Sequence, residues 1–141
     1  MISATSTTLT ERQVEVLELR EAGHTQQEVA EMLGTTDSNV SAIERAAEEN
    51  VEKAHGTLEL LRVVRSPVRF AVEAGTSFDE LVDQVYERGD ETGIKLAYCR
   101  PELYTHLFGR LEEHTVKNRL ETAVEFGLTR DGDVTVFAPE A

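Results

Sequence analysis

Five side chains spaced like the outward face of one helix, Ser38, Asn39, Ser41, Ala42 and Arg45, have the chemistry to read base edges in duplex DNA. An asparagine can bond adenine through two hydrogen bonds, and an arginine can do the same with guanine or clamp a phosphate. Ser38 and Ser41 are short donors and acceptors, and the Ala42 methyl suits contact with a thymine methyl. Upstream, Thr25, Gln26 and Gln27 open a helix whose exposed backbone amides, at the positive end of the dipole, form a phosphate site. Thr36 or Asp37 caps the helix that carries the reading residues. Each assignment has a blander alternative: Asn39 stabilising the helix start, and Arg45 pairing with Glu48 or Glu49 on a solvated face.

Three helices must position these groups. The first is predicted from Thr10 to Ala22, with Thr10 and Gln13 as a T-x-x-Q capping box, an apolar stripe of Leu9, Val16 and Leu17, and Gly23 as the stop. Thr25 and Glu28 form a second capping box, opening a helix of about nine residues whose Val29, Ala30 and Leu33 share a face before Gly34 ends it. On the third helix Val40, Ile43 and Ala47 repeat at three and four. Ala30, Gly34, Val40 and Ile43 stand four, six and three apart, the spacing of a helix-turn-helix. That motif needs a small residue where the helices cross, a positive-φ glycine in the turn, and apolar residues inside. Helical periodicity continues through Val51, Ala54, Leu58 and Leu61, interrupted at Gly56 and stopped by Pro67.

After Pro67, VRFAV reads as a strand, Ser77 with Glu80 caps a helix through FDELVDQVYERG, and IKLAYC reads as a second strand. Pro101 opens a helix through PELYTHLFGRLEE, and RLETAVEFGL and DVTVFA flank Arg130-Asp131-Gly132 as a β-hairpin. The expected fold is α+β. A three-helix helix-turn-helix domain with a long third helix, residues 1–65, precedes a small α/β domain of order β-α-β-α-β-β, residues 66–141, suited to dimerisation, sensing or interaction. Residues 1–8 are small and polar and read as frayed.

The runs LTERQVEVL, T-Q-x-E-V-A-x-x-L-G-T and N-V-S-x-I-E, followed by SPVRFAVEAGT, GIKLAYCRPEL and GDVTVF, resemble the archaeal Tfx family of DNA-binding regulators across nearly the whole chain. More distantly, the first part resembles the promoter-reading domain of bacterial sigma factors, region 4. The resemblance implies a DNA-binding domain without a wing, followed by a small second domain. Where family members tend to carry a basic residue at the start of the recognition helix, this chain has Asp37 and Ser38.

Charge sets the conditions for such a function. Acidic residues number 27 against 14 basic ones, a net of −13, whereas DNA-binding domains are usually basic. Only Lys53, Lys95 and Lys117 are lysines, a balance that resembles proteins of salt-in halophiles. At about 1 M salt the Debye length falls to ~3 Å, which screens repulsion from phosphates. Counterion release fades as well, leaving close hydrogen bonds and shape to supply affinity.

Other chemistries find little support. No P-loop, dinucleotide fingerprint or nucleophile elbow is present, His24, His55, His106 and His114 lack metal-ligand spacing, and Asp79, Glu80, Asp83, Glu87, Asp90 and Glu91 read as a solvated helix face. The expectation is therefore no enzyme, no catalytic or metal residues and no cofactor. Cys99, in an apolar run, reads as buried filler. The start MISATSTTLTERQ contains no apolar run, so neither leader nor membrane anchor is expected, and the location expected is the cytoplasm. The expected partners are double-stranded DNA and a second copy of the chain, with RNA polymerase or basal transcription factors as further candidates. Two readings compete with the DNA-reading regulator: an adaptor that binds the transcription machinery instead of DNA, and a ligand-sensing regulator with a cleft near Tyr98, Arg100 and Tyr104.

Overall fold

A computed structural model describes residues 2–139, and the chain divides into two compact units, Met1–His55 and Gly56–Ala141. The boundary lies inside the third helix, earlier than the 65/66 boundary expected from Pro67.

The first unit holds α1 (Glu11–Glu21), α2 (Gln26–Leu33) and the start of α3 (Asp37–Val64). Both expected capping boxes form: Gln13 N donates to Thr10 Oγ1 while Thr10 N donates to Gln13 Oε1, each at 3.1 Å, and Thr25 and Glu28 repeat the exchange. These bonds satisfy amides that a helix start otherwise leaves open. Gly34 closes α2 in the left-handed region (φ 69°), which lets the chain reverse into α3 without a Cβ clash. Val16, Val29, Ala30 and Val40 form the buried core, with Leu19, Leu33 and Ile43 packed around it. The first residues are more ordered than their composition suggested. Ile2 N donates to Glu18 Oε1, Ala4 N donates to Glu11 Oε1, and Ala4 is buried.

The second unit begins with the last turns of α3. Gly56 does not interrupt this helix; a side chain placed there would meet the Phe137 ring only at ordinary contact distance. Next come β1 (Val68–Val72), α4 (Phe78–Thr92), α5 (Arg100–Leu111), a 3₁₀ turn (Glu112–His114), β2 (Thr115–Val116), β3 (Arg119–Leu120), β4 (Val124–Leu128) and β5 (Val134–Phe137). The main sheet is antiparallel, ordered β1-β4-β5, with Phe70 opposite Phe126 and Phe126 opposite Val136. Alternating strand residues therefore face one layer, where Phe70, Val72, Val124, Phe126, Val134 and Val136 meet Phe78, Leu81, Val82 and Val85 of α4 and Leu103, Leu107 and Leu111 of α5. Every phenylalanine and tyrosine of the chain lies in this unit, and several stack: Phe70 on Phe126 at 5.3 Å, and Phe78 edge-on to Tyr104 at 4.7 Å.

Two expectations fail here. The observed order is β-α-α-β-β-β-β, because residues 94–99 form no strand. Ile94, Leu96 and Tyr98 do alternate against the core, which produces the strand-like pattern, but the backbone bonds a helix end and a turn: Ile94 N to Gly89 O and Ala97 N to Gly132 O, both 2.9 Å. Cys99 is exposed, since it sits at the start of α5 where its amide donates to Glu102 Oε1 at 3.0 Å. A hydrogen bond from the Cys99 side chain, and after it the one from this amide, hold the Glu102 carboxyl below the ordinary glutamate range.

Candidate nucleic-acid interface

The third helix starts at a threonine cap. Asn39 N donates to Thr36 Oγ1 at 3.2 Å, which identifies Thr36 rather than Asp37 as the cap, and Asp37 occupies the first helical position. From that start the helix turns Val40 and Ala47 fully inward and leaves Ser38, Asn39, Ala42 and Arg45 exposed, with Ser41 half-buried at the edge. A shallow groove lined by Gln26, Asp37, Ser38, Ser41, Ala42 and Arg45 joins α2 to this face. Five of the nine residues singled out from the sequence thus converge on one concave surface. Thr25, Gln27, Thr36 and Asn39 lie outside that lining.

Their individual states differ. The Asn39 amide Nδ2 donates to Thr35 Oγ1 at 2.9 Å, which fixes the side chain at the helix start and leaves Oδ1 and one N–H to face outward. Arg45 forms no ion pair among the described residues, so neither Glu48 nor Glu49 ties it down. Gln26 is turned inward, with Nε2 donating to Glu44 Oε1 at 3.3 Å, while Gln27 is exposed. The Thr25 hydroxyl accepts from Glu28 N. Hydrogen bonds from the Thr25 amide and then its hydroxyl, followed by one with His24, hold the Glu28 carboxyl below the ordinary glutamate range. At neutral pH a negative charge therefore sits in the first turn of α2, and the Gln26 and Gln27 amides are the donors left there without a side-chain cap.

One arrangement escaped the sequence reading. Glu44, on α3, accepts from Arg20 Nε of α1 at 2.7 Å and from Gln26 of α2, so a single carboxylate links all three helices. Its charge is neutralised by Arg20, whose Nη1 also donates to His24 O at 3.0 Å. Arg20 and Glu44 are 24 residues apart, and no local spacing rule connects them. Asp37 is then the one carboxylate that lines the groove.

Residues 54–136 match the family model described as the C-terminal part of the DNA-binding protein TFX, and residues 7–52 match sigma-70 region 4. The chain is 38% identical over 130 residues to the DNA-binding protein Tfx of Methanothermobacter marburgensis, covering 92% of this chain and 94% of that protein. The same figures hold for the Tfx of Methanothermobacter thermautotrophicus. A protein of Haloarcula marismortui is 35% identical over 138 residues, covering 98% of this chain and 87% of the relative.

Proposed function

This chain belongs to the Tfx family, and from that premise we propose that it is a transcriptional regulator that reads duplex DNA with the first turns of α3 in the major groove. The observation that carries the reading is the two-sided character of α3: Val40 and Ala47 sealed inside, Ser38, Asn39, Ala42 and an ion-pair-free Arg45 outside, on a groove shared with α2. Arg45 and the outward edge of Asn39 are the sequence-reading groups, Ser38, Ser41 and Ala42 make short base contacts, and Thr25, Gln26, Gln27 and Thr36 border the phosphate backbone. The link from Glu44 to Arg20 and Gln26 sets the angle at which α3 enters the groove.

Such a unit buries little DNA surface, so useful affinity calls for two copies on half-sites about 34–36 Å apart. Leu58, Leu61 and Val64, in the last turns of α3, are exposed at intervals of three, an apolar face that suits a homodimer. The first unit holds eleven acidic residues against four basic ones. High internal salt, as in the cytoplasm of a halophile, is the setting in which that surface approaches DNA at least cost. Chromatin immunoprecipitation with sequencing, comparing the native chain with an Asn39→Ala, Arg45→Ala variant, tests the reading. Peaks that share a motif and vanish in the variant are expected.

Asp37 favours a second reading, an adaptor for RNA polymerase or a basal factor, because it sets a negative charge in the groove where a phosphate-facing surface would carry a positive one. In that case the peaks follow polymerase and survive the double substitution.

A further inference from the structure

The cleft expected from the sequence near Tyr98, Arg100 and Tyr104 does not form as one site. Tyr98 donates to Asp133 at 2.7 Å, Arg100 pairs with Asp83, and Tyr104 donates to Asn118 at 3.2 Å. A different cleft in the second unit, lined by Arg62, Arg65, Ser66, Pro67, Thr129, Arg130, Asp133 and Thr135, gathers three arginines. None of the three forms an ion pair among the described residues, a state they share with Arg45, Arg69, Arg88, Arg110 and Arg119; what sets them apart is that all three line one cleft. Arg62 lies in the last turn of α3, and Arg65 follows just past its end with its amide donating to Leu61 O at 2.9 Å, so two like charges stand three positions apart. Arg130 adds a third from the β4–β5 turn.

The walls that hold them are fixed. Ser66 Oγ donates to Arg62 O at 2.6 Å and lies 3.4 Å from Thr135 Oγ1, which donates to Gly127 O at 3.2 Å. A Cβ on Gly127 would lie 2.5 Å from that serine oxygen and 2.6 Å from the threonine oxygen, so the floor requires glycine. The turn carrying Arg130 is closed by Thr129 N to Asp133 O, Gly132 N to Thr129 O and Asp133 N to Thr129 Oγ1, each at 3.0 Å. Gly132 pins it (φ 86°), because a Cβ there would fall 2.1 Å from Lys95 O. The one lining carboxylate, Asp133, is turned to other groups: its Oδ1 accepts from Tyr98 and from Val134 N. Thr129 Oγ1 accepts from Asp133 N, which leaves its own proton for an oxygen in the cleft.

We propose that this cleft binds the phosphate group of a small diffusible ligand, held by the guanidinium forks of Arg62, Arg65 and Arg130 with the Thr129 hydroxyl as a further donor. Planar guanidinium pairs bond phosphate oxygens two at a time, and a ligand phosphate relieves the repulsion among the three cations. A concave site with a fixed rim suits a small ligand better than a stretch of duplex backbone.

Inorganic phosphate titrated into the full chain, with chloride holding the ionic strength constant, tests this by the melting temperature read from tyrosine absorbance. The expected result is a saturable rise in melting temperature. Arg65→Gln and Arg130→Gln, each checked by circular dichroism for an unchanged fold without phosphate, should weaken phosphate binding about tenfold or more, and Arg130→Lys should recover part of it. Arg12→Gln, at an exposed residue that lines neither the α2–α3 groove nor this cleft, should respond as the native chain does. A response equal in every variant, or no saturable response, overturns the proposal, the first outcome marking an adventitious ion only. Phosphate without effect, combined with weaker duplex binding and a shallower salt dependence in the Gln variants, also overturns it and assigns the cleft to the DNA backbone.

Discussion

The two units are secured by different means. Among the described residues the first has six buried apolar side chains, none larger than valine, and relies on capping boxes, the Glu44 link and a Gln13–Asn50 hydrogen bond at 3.2 Å. The second has sixteen among the described residues, fifteen of them, including three phenylalanines, in one cluster between a sheet and two helices. A small core leaves geometry to polar groups with directional bonds, and directional bonds are what a recognition helix needs to present side chains at fixed angles. A large apolar core tolerates clefts and turns at its rim, and the arginine cleft sits at such a rim.

The contrast can be attacked from its strongest point downward. Phe126→Ala, at a fully buried ring stacked on Phe70, should cost about 3–5 kcal/mol and lower the denaturation transition seen by tyrosine absorbance. Val40→Ala empties part of the small core and should cost about 1.5–3 kcal/mol, read by helical circular dichroism. Should it move the tyrosine-reported transition equally, the two units unfold as one and the contrast collapses. Thr25→Ala removes one half of a capping box and should cost about 1 kcal/mol by the same denaturation measurement. The smallest effects are those of pH. Glu28 and Glu102 have depressed carboxyls, so their contribution is complete above the ordinary glutamate range and fades as pH falls through the depressed values, affecting both units. Tyr98 is raised, chiefly by its hydrogen bond to Asp133, and Tyr86 by burial. Their contribution is complete below the ordinary tyrosine range and is lost as pH rises through the raised values. Alkaline melting scans should therefore weaken the second unit selectively.

What could be read from the sequence was whatever depends on neighbours three or four residues away. Thr10 with Gln13, Thr25 with Glu28, Ser77 with Glu80 and the Gly34 turn all form where their spacing placed them. The outward residues of α3 were legible for the same reason, because helical period separates Val40 and Ala47 from Ser38 and Ala42. Long-range partners decided the rest. Residues 94–99 alternate like a strand, yet the turn around Gly132 takes the Ala97 amide that a ladder would have used. The link from Glu44 to Arg20 and the convergence of Arg62 with Arg130 span 24 and 68 positions, and periodicity carries no information over such separations.

The placement of all eight aromatic rings after position 69 makes the molecule half dark to ultraviolet light. Near-ultraviolet absorbance and intrinsic emission follow the second unit alone, while the helix-turn-helix is optically silent. One tryptophan introduced at the exposed Met32 of α2 would give that silent half its own colour, and events on each unit could be timed separately in one cuvette.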